Sequence, residues 1–154
     1  LIAQGYAYDT VEAVLSTDID NFPLVIEKIK ALQDFRLNPE FEPISVAFKR
    51  VDNILKDFRE GQVDVNLLNH EAEIKLFSAL DNIKTRVEKG LAEKDFNTAL
   101  NKLAALRPPV DDFFDHVMVM DKDEKIRFNR LSLLSEISAL FHKIADFSKI
   151  VTAG

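Results

Sequence analysis

The residues able to do chemistry in this chain are three histidines, two clusters of carboxylates and several groups of cations. His70, His116 and His142 lie far apart, and none has a second ligand at metal-site spacing within its own helix. They read as surface or boundary residues rather than zinc ligands. Asp111, Asp112 and Asp115 invite a catalytic or Mg²⁺ reading. They follow Arg107-Pro108-Pro109, where proline fits the first position of a new helix, and carboxylates in a first turn are favoured by the helix dipole alone. Asp121, Asp123 and Glu124 resemble part of a calcium loop but lack its glycine and closing glutamate, so they read as caps. No glycine-rich phosphate loop, Ser-x-x-Lys pair or nucleophile elbow occurs. No catalytic residue and no metal ligand is assigned, and no cofactor is expected on this chain.

The cations are more informative. Lys49, Asn53 and Lys56 share one helical face at steps of four and three, with Arg50 beside them and Arg59 beyond Asp57. A helix carrying three or four cations on one side can follow an RNA backbone. The same pattern also describes an ordinary solvated face. Arg127 and Arg130 are three apart, with Asn129 between them. They could contact RNA or pair with Asp111, Asp112 or Asp115 across a helix interface, and the pairing is the preferred reading.

Bulk properties bound these options. The 154 residues carry a net charge of −6, against the strongly basic balance of a nonspecific nucleic-acid binder. A local basic face on an acidic body stays open, whereas a polyanion-coating or membrane-surface role does not fit. A chain of this length should bury about 70% of its unfolded surface without staples. The absence of cysteine excludes disulfides, thiolate metal sites and a cysteine nucleophile, and suits a reducing cytoplasm. No apolar run approaches the roughly 18 residues of a spanning helix, and no signal peptide is expected. Twelve phenylalanines without a tryptophan point to a dry core. The opening Leu-Ile-Ala-Gln reads as the start of a piece of a longer protein.

The elements that must position these groups are all helical. Tyr6 to Leu15 is a short amphipathic segment. Asp20 or Asn21 caps a helix through Leu24, Ile29, Leu32 and Phe35, ending near Leu37. Pro39 or Pro43 opens the next, striped by Ile44, Phe48, Val51, Leu55 and Phe58 and broken at Gly61. Asn69 is the expected cap of a helix striped by Leu76, Leu80, Ile83 and Val87, with Gly90 just past its end. Phe96, Leu100 and Leu103 mark a helix to about Leu106. Val110, Phe113, Phe114 and Val117 mark one of about ten residues after the prolines. Val117–Met120 could pass as a strand, but no partner strand is visible, so a helix end and loop is preferred. Asp121 or Asp123 caps the last long helix, with core residues Leu133, Leu134, Ile137, Leu140, Phe141 and Ile144, ending near Asp146. No period-two alternation, hairpin dipeptide or repeat stands out. The fold class is all-α, a bundle of about six to seven helices. It divides either as 1–60 and 61–154 or as one continuous domain 1–154.

Several ordered blocks resemble the C-terminal end of the bacterial glycyl-tRNA synthetase β subunit, whose last domain is a helical anticodon-binding module of the DALR type. Gly5–Leu15 (GYAYDTVEAVL) is similar to a family segment ending D-x-[VI]-x-A-V-L. Ala47–Leu55 (AFKRVDNIL) resembles its K-R-V-x-N-I-L helix, and Glu73–Leu76 the helix that follows. The most specific block is Ala105–Asp115 (ALRPPVDDFFD) with Val117–Met120. Arg127, Asn129, Arg130, Leu131 and Leu134 match the final helix. The signature that names the wider domain reads Ala104-Ala105-Leu106-Arg107 here, without its leading aspartate, so no role of that aspartate carries over.

The resemblance implies a tRNA-binding domain that helps attach glycine to its tRNA, with ATP and Mg²⁺ expected in the holoenzyme. It also implies a catalytic α subunit, an α2β2 assembly and a cytoplasmic location, with no DNA or membrane partner. The domain itself would be non-catalytic. Lys49, Arg50, Asn53 and Lys56 form the leading RNA face; Arg107, Lys122, Arg127 and Arg130 are further candidates. RNA contacts would combine cations on phosphates with stacking or hydrogen bonds to splayed bases. The alternative from another class is a helical protein–protein module within a multisubunit assembly.

Overall fold

A computed structural model describes residues 7–15, 22–56, 58 and 61–149. Among them are seven α-helices and no strand. In chain order they are α1 (Tyr8–Leu15), α2 (Phe22–Phe35), α3 (Phe41–Ile54), α4 (Glu71–Ala92), α5 (Phe96–Ala104), α6 (Arg107–His116) and α7 (Glu124–His142), with single 3₁₀ turns at Val65–Leu67 and Phe147–Lys149. The expected caps at Asp20 and Asn21, and the cation and carboxylate at Arg59 and Asp57, lie outside the described residues.

The apolar stripes do what their spacing requires. Leu76, Leu80, Ile83 and Val87 are all buried along α4, and every helix contributes to one hydrophobic cluster. α5 packs on α2 and α4, while α6 lies on α3 and α4. Helix α7 differs from the others: Asn129 to Leu134 are six consecutive buried residues. A stretch buried all round has neighbours on every side, so α7 is enclosed over Asn129–Leu134 and exposed before it at Phe128 and after it at Ala139. At its far end Phe141 stacks on Phe48 of α3, with ring centroids 5.1 Å apart, and Phe147 closes over both.

Several boundaries differ from expectation for physical reasons. His70, not Asn69, caps α4: its Nδ1 accepts from the Ala72 N–H at 3.0 Å. Glu73 completes a capping box through the His70 N–H at 3.3 Å and also takes the Asn69 N–H at 3.1 Å. Gly90 is not past the end of α4 but inside it. A Cβ there would lie 3.2 Å from the Asp95 carbonyl and 3.5 Å from Ala99 Cβ, so the glycine lets the return into α5 pass close to α4. The reversal itself falls at Lys94, which takes a positive φ of 60°. The last helix stops at His142, earlier than Asp146. Val117–Met120 is non-helical, extended at Val117 and turning at Val119 and Met120, with Val117 and Val119 buried and Met118 and Met120 exposed.

One ion pair is buried on both sides. Arg130 is 6% exposed and Glu73 fully buried, and the Arg130 Nε donates to Glu73 Oε2 at 3.3 Å. Arg130 Nη2 donates to Asn69 Oδ1 at 3.0 Å, and Nη1 to the Met118 carbonyl at 2.7 Å, with Asp121 Oδ2 at 3.5 Å. One guanidinium thereby joins α7, the start of α4 and the 117–121 segment. Removing one member of such a pair leaves the other charged and buried, at a cost of about 3–5 kcal/mol.

Two stability measurements follow. Arg130→Ala should lower the unfolding free energy in denaturant titration by about 3–5 kcal/mol. Ser45→Ala should leave it unchanged or raise it by up to about 1 kcal/mol, because the buried Ser45 hydroxyl has no hydrogen-bond partner among the described residues and its removal ends a desolvation cost.

Candidate nucleic-acid interface

Lys49, Arg50 and Asn53 lie in the C-terminal half of α3, whereas Lys56 falls in the turn just past its end at Ile54. Lys49 is half-buried, while Arg50, Asn53 and Lys56 are exposed. The Arg50 guanidinium carbon lies 4.4 Å from the centroid of Phe114 on α6. Stacking on that ring orients the planar fork while leaving its N–H groups for an anion.

The remaining candidates divide. Arg107 is spent on a tie between helix starts: its Nη2 lies 3.2 Å from Glu40 Oε2, just before α3, and Nη1 lies 3.8 Å from Asp111. The expected pairing of Arg127 and Arg130 with Asp111, Asp112 or Asp115 is not what the fold makes. Arg130 turns inward to Glu73, and Arg127 Nη1 donates to the Asp121 carbonyl at 3.1 Å. Asp111 answers Arg107 instead, and Asp112 Oδ1 lies 3.0 Å from His116 Nδ1. All three donor nitrogens of Arg130 are engaged inside the protein, so it supports the site rather than forming its surface. Lys122 is exposed in the segment leading into α7. The three aspartates do not converge, and among the described residues no group of three or more His, Asp or Glu side chains could hold a metal ion. Glu71 and Lys75 form an exposed pair one turn apart on α4. The hydrogen bond and charge of Lys75 hold the Glu71 carboxyl below its usual value, and the same bond raises the Lys75 ammonium.

The structure also shows a feature the sequence did not signal. Between the segment after α3 and the first half of α7 lies an open groove of about 700 Å³. Phe58, Leu67, Phe128 and Leu131 supply its apolar lining, with Lys125 and Arg127 beside them. Phe58 and Phe128 meet edge to face, 5.4 Å between centroids and 62° between planes, and Phe128 stays 49% exposed. One groove wall is fixed by Asn129, whose side chain brackets the backbone of Asp64: its Oδ1 accepts from the Asp64 N–H at 2.6 Å and its Nδ2 donates to the Asp64 carbonyl at 3.0 Å. Asp64 in turn caps the 3₁₀ turn at Val65–Leu67 through the Asn66 N–H. Gly61 completes the fit, because a Cβ there would meet Ser132 Oγ and lie 2.7 Å from Phe128 Cζ.

By spacing alone Phe58 is the last residue of a core stripe, and Phe128 has no assignment. The available signal is interleaving: Phe128 stands between Arg127 and Asn129-Arg130, off the apolar stripe of its helix.

Comparison with known proteins places these features in a family. The model of the DALR anticodon binding domain matches residues 44–152, a range that takes in the α3 cations, the groove and α7. The chain is 49% identical over 152 residues to the glycine–tRNA ligase β subunit of Syntrophus aciditrophicus, covering 99% of this chain and 22% of that protein. It is 45% identical over 153 residues to the protein of the same name in Desulforapulum autotrophicum, and 43% over 150 residues to that of Geotalea daltonii, with 97% of this chain covered in each case. The chain thus spans about a fifth (22%) of the length of these curated relatives.

The bracket at Asn129 gives a direct check on what shapes the groove. Asn129→Ala should lose about 1–3 kcal/mol of stability and speed amide hydrogen exchange at Asp64, Asn66 and Leu67, with little change along α4.

Proposed function

The chain belongs to the DALR anticodon binding domain family, and from that membership we propose that it is the anticodon-region binding domain of a glycine–tRNA ligase β subunit. The observation that carries this reading is similarity along almost the whole chain, at 43–49% identity, to proteins of that name. The domain's work is recognition: it holds the anticodon end of the tRNA so that the acceptor end reaches an active site elsewhere. Glycylation with ATP belongs to the complete enzyme, in the cytoplasm, with the α subunit and the rest of β in an α2β2 assembly. In this reading ATP and its Mg²⁺ are held elsewhere in that enzyme.

The chemistry of the α3 face supports the reading despite the acidic whole. Arg50 and Asn53 are exposed on α3, Lys56 is exposed in the turn that follows it, and Lys49 flanks them, so the stretch presents spaced cations with an amide between. Phosphate oxygens accept from all of these groups, and such contacts fix register without reading sequence. Arg127, in the first turn of α7, lines the groove with Phe58, and Lys122 is exposed just before that helix; they form a second cationic point. A net charge of −6 disfavours nonspecific binding of RNA over the whole surface, so this reading relies on a local face.

The test is a binding titration of the intact β subunit with a glycine tRNA anticodon stem-loop at two salt concentrations. The double variant Arg50→Glu with Lys56→Glu alters two exposed side chains and should fold. Its affinity should fall, and the slope of log K against log salt should decrease by about two, one for each phosphate no longer neutralised. Unchanged affinity and slope in the folded variant would remove the α3 face from the interface.

A further inference from the structure

The groove beside Phe128 is shaped for a flat aromatic guest. An exposed phenylalanine on a helix flank forgoes burial that the rest of the core obtains, and Phe128 does so while being held in place from several sides. Its ring meets Phe58 edge to face, which covers only one ring face of the pair. On one side the ring packs against the Gly61 backbone, where a Cβ would lie 2.7 Å from its Cζ. The Ser132 hydroxyl donates to the Phe128 carbonyl at 2.8 Å, and Asn129 fixes the opposite wall through Asp64. Little ordering remains to be done when a guest arrives, so the platform is preorganised.

The rim carries both kinds of polar group that such a guest would need. Arg127 and Lys125 supply positive charge, and Lys56 lies two residues before Phe58. The Gln62 side chain is exposed at the groove and offers a donor and an acceptor in one amide. Glu124 and Asp64 also line it. These carboxylates count against a phosphate seated at the bottom of the groove, and suit instead a base whose ring N–H or amino groups donate. The volume of about 700 Å³ falls within the range of small-ligand pockets, about 300–1,000 Å³. An apolar floor with aromatic walls, a mixed polar edge and cations outside matches a nucleobase on its phosphate backbone.

We propose that this groove takes an unpaired base of the bound RNA, stacked on Phe128, with Gln62 at the base edge and Arg127 and Lys125 on the flanking phosphates. The proposal rests on the RNA-binding reading above and adds to it a place where a base, not only the backbone, is held. Unpaired loop bases are accessible to such a site because they can splay out of the stack.

The experiment uses the intact β subunit and anticodon stem-loops carrying 2-aminopurine singly at each unpaired loop position. In the unaltered protein, at least one position should change fluorescence on binding as its base moves from the loop onto the ring. Phe128→Leu keeps an apolar side chain of similar bulk but removes the stacking face. It should weaken binding about tenfold or more at both salt concentrations with an unchanged salt slope, and abolish that fluorescence change. Phe128→Tyr should retain both. If no labelled position responds in the unaltered protein, or if folded Phe128→Leu binds within twofold of it while the α3 charge reversal still weakens binding, the groove is not a base site, although the RNA-binding reading stands. If neither the α3 reversal nor Phe128→Leu changes binding, both proposals fall.

Discussion

The buried pair of Glu73 and Arg130 is the constraint on which the rest of this end of the molecule depends. Glu73 is fully enclosed and uses both carboxylate oxygens, one on the Asn69 and His70 N–H groups and one on Arg130. It therefore caps α4 from within while anchoring α7. Arg130 spends its remaining nitrogens on Asn69 and on the Met118 carbonyl, so the segment between α6 and α7 is tied to the same node. Ion pairs of this kind are weak evidence for stability as such, because desolvation offsets most of the attraction. What the pair does here is fix geometry: α7 can sit at only one rotation and one height against α4.

That rotation sets the candidate interface. With Arg130 turned inward, Asn129 points to the Asp64 backbone, while Arg127 and Phe128 line the groove. Four consecutive residues thus divide between support and surface, as the 100° step of a helix requires. The fixed position of α7 also sets the distance between the α3 cations and those at the start of α7. An RNA loop bridging them would meet the two phenylalanines between. A site built on helices with such internal ties holds its geometry more closely than one on free loops.

Much of the fold was legible in the sequence because period and position sufficed. The α4 stripe, the proline joint before α6 and a cap at Asp121 or Asp123, which falls at Asp123, each depend on neighbours within one or two turns. The misreadings share another cause: each turned on a partner outside its own helical pattern. Asn69 is the better isolated cap, but Arg130 takes its side-chain oxygen and Glu73 its backbone N–H, which leaves the role to His70. Gly90 has the form of a stop signal, yet it serves the close passage of the chain into α5. Arg130 meets Glu73, 57 residues away, rather than the nearer aspartates 111, 112 and 115. The groove was hidden for the same reason. Phe58 and Phe128 are ordinary apolar residues in their own segments, and only the fold sets them edge to face.

The most direct measurement is ultraviolet crosslinking of the intact enzyme to its glycine tRNA, with crosslinked peptides and nucleotides identified by mass spectrometry. Crosslinks are expected from the stretches 49–62 and 122–128 to nucleotides of the anticodon loop. Crosslinks from this domain to acceptor-end nucleotides alone, or loop crosslinks that map to other parts of the β subunit with none in these two stretches, would contradict a recognition surface built on α3 and the start of α7.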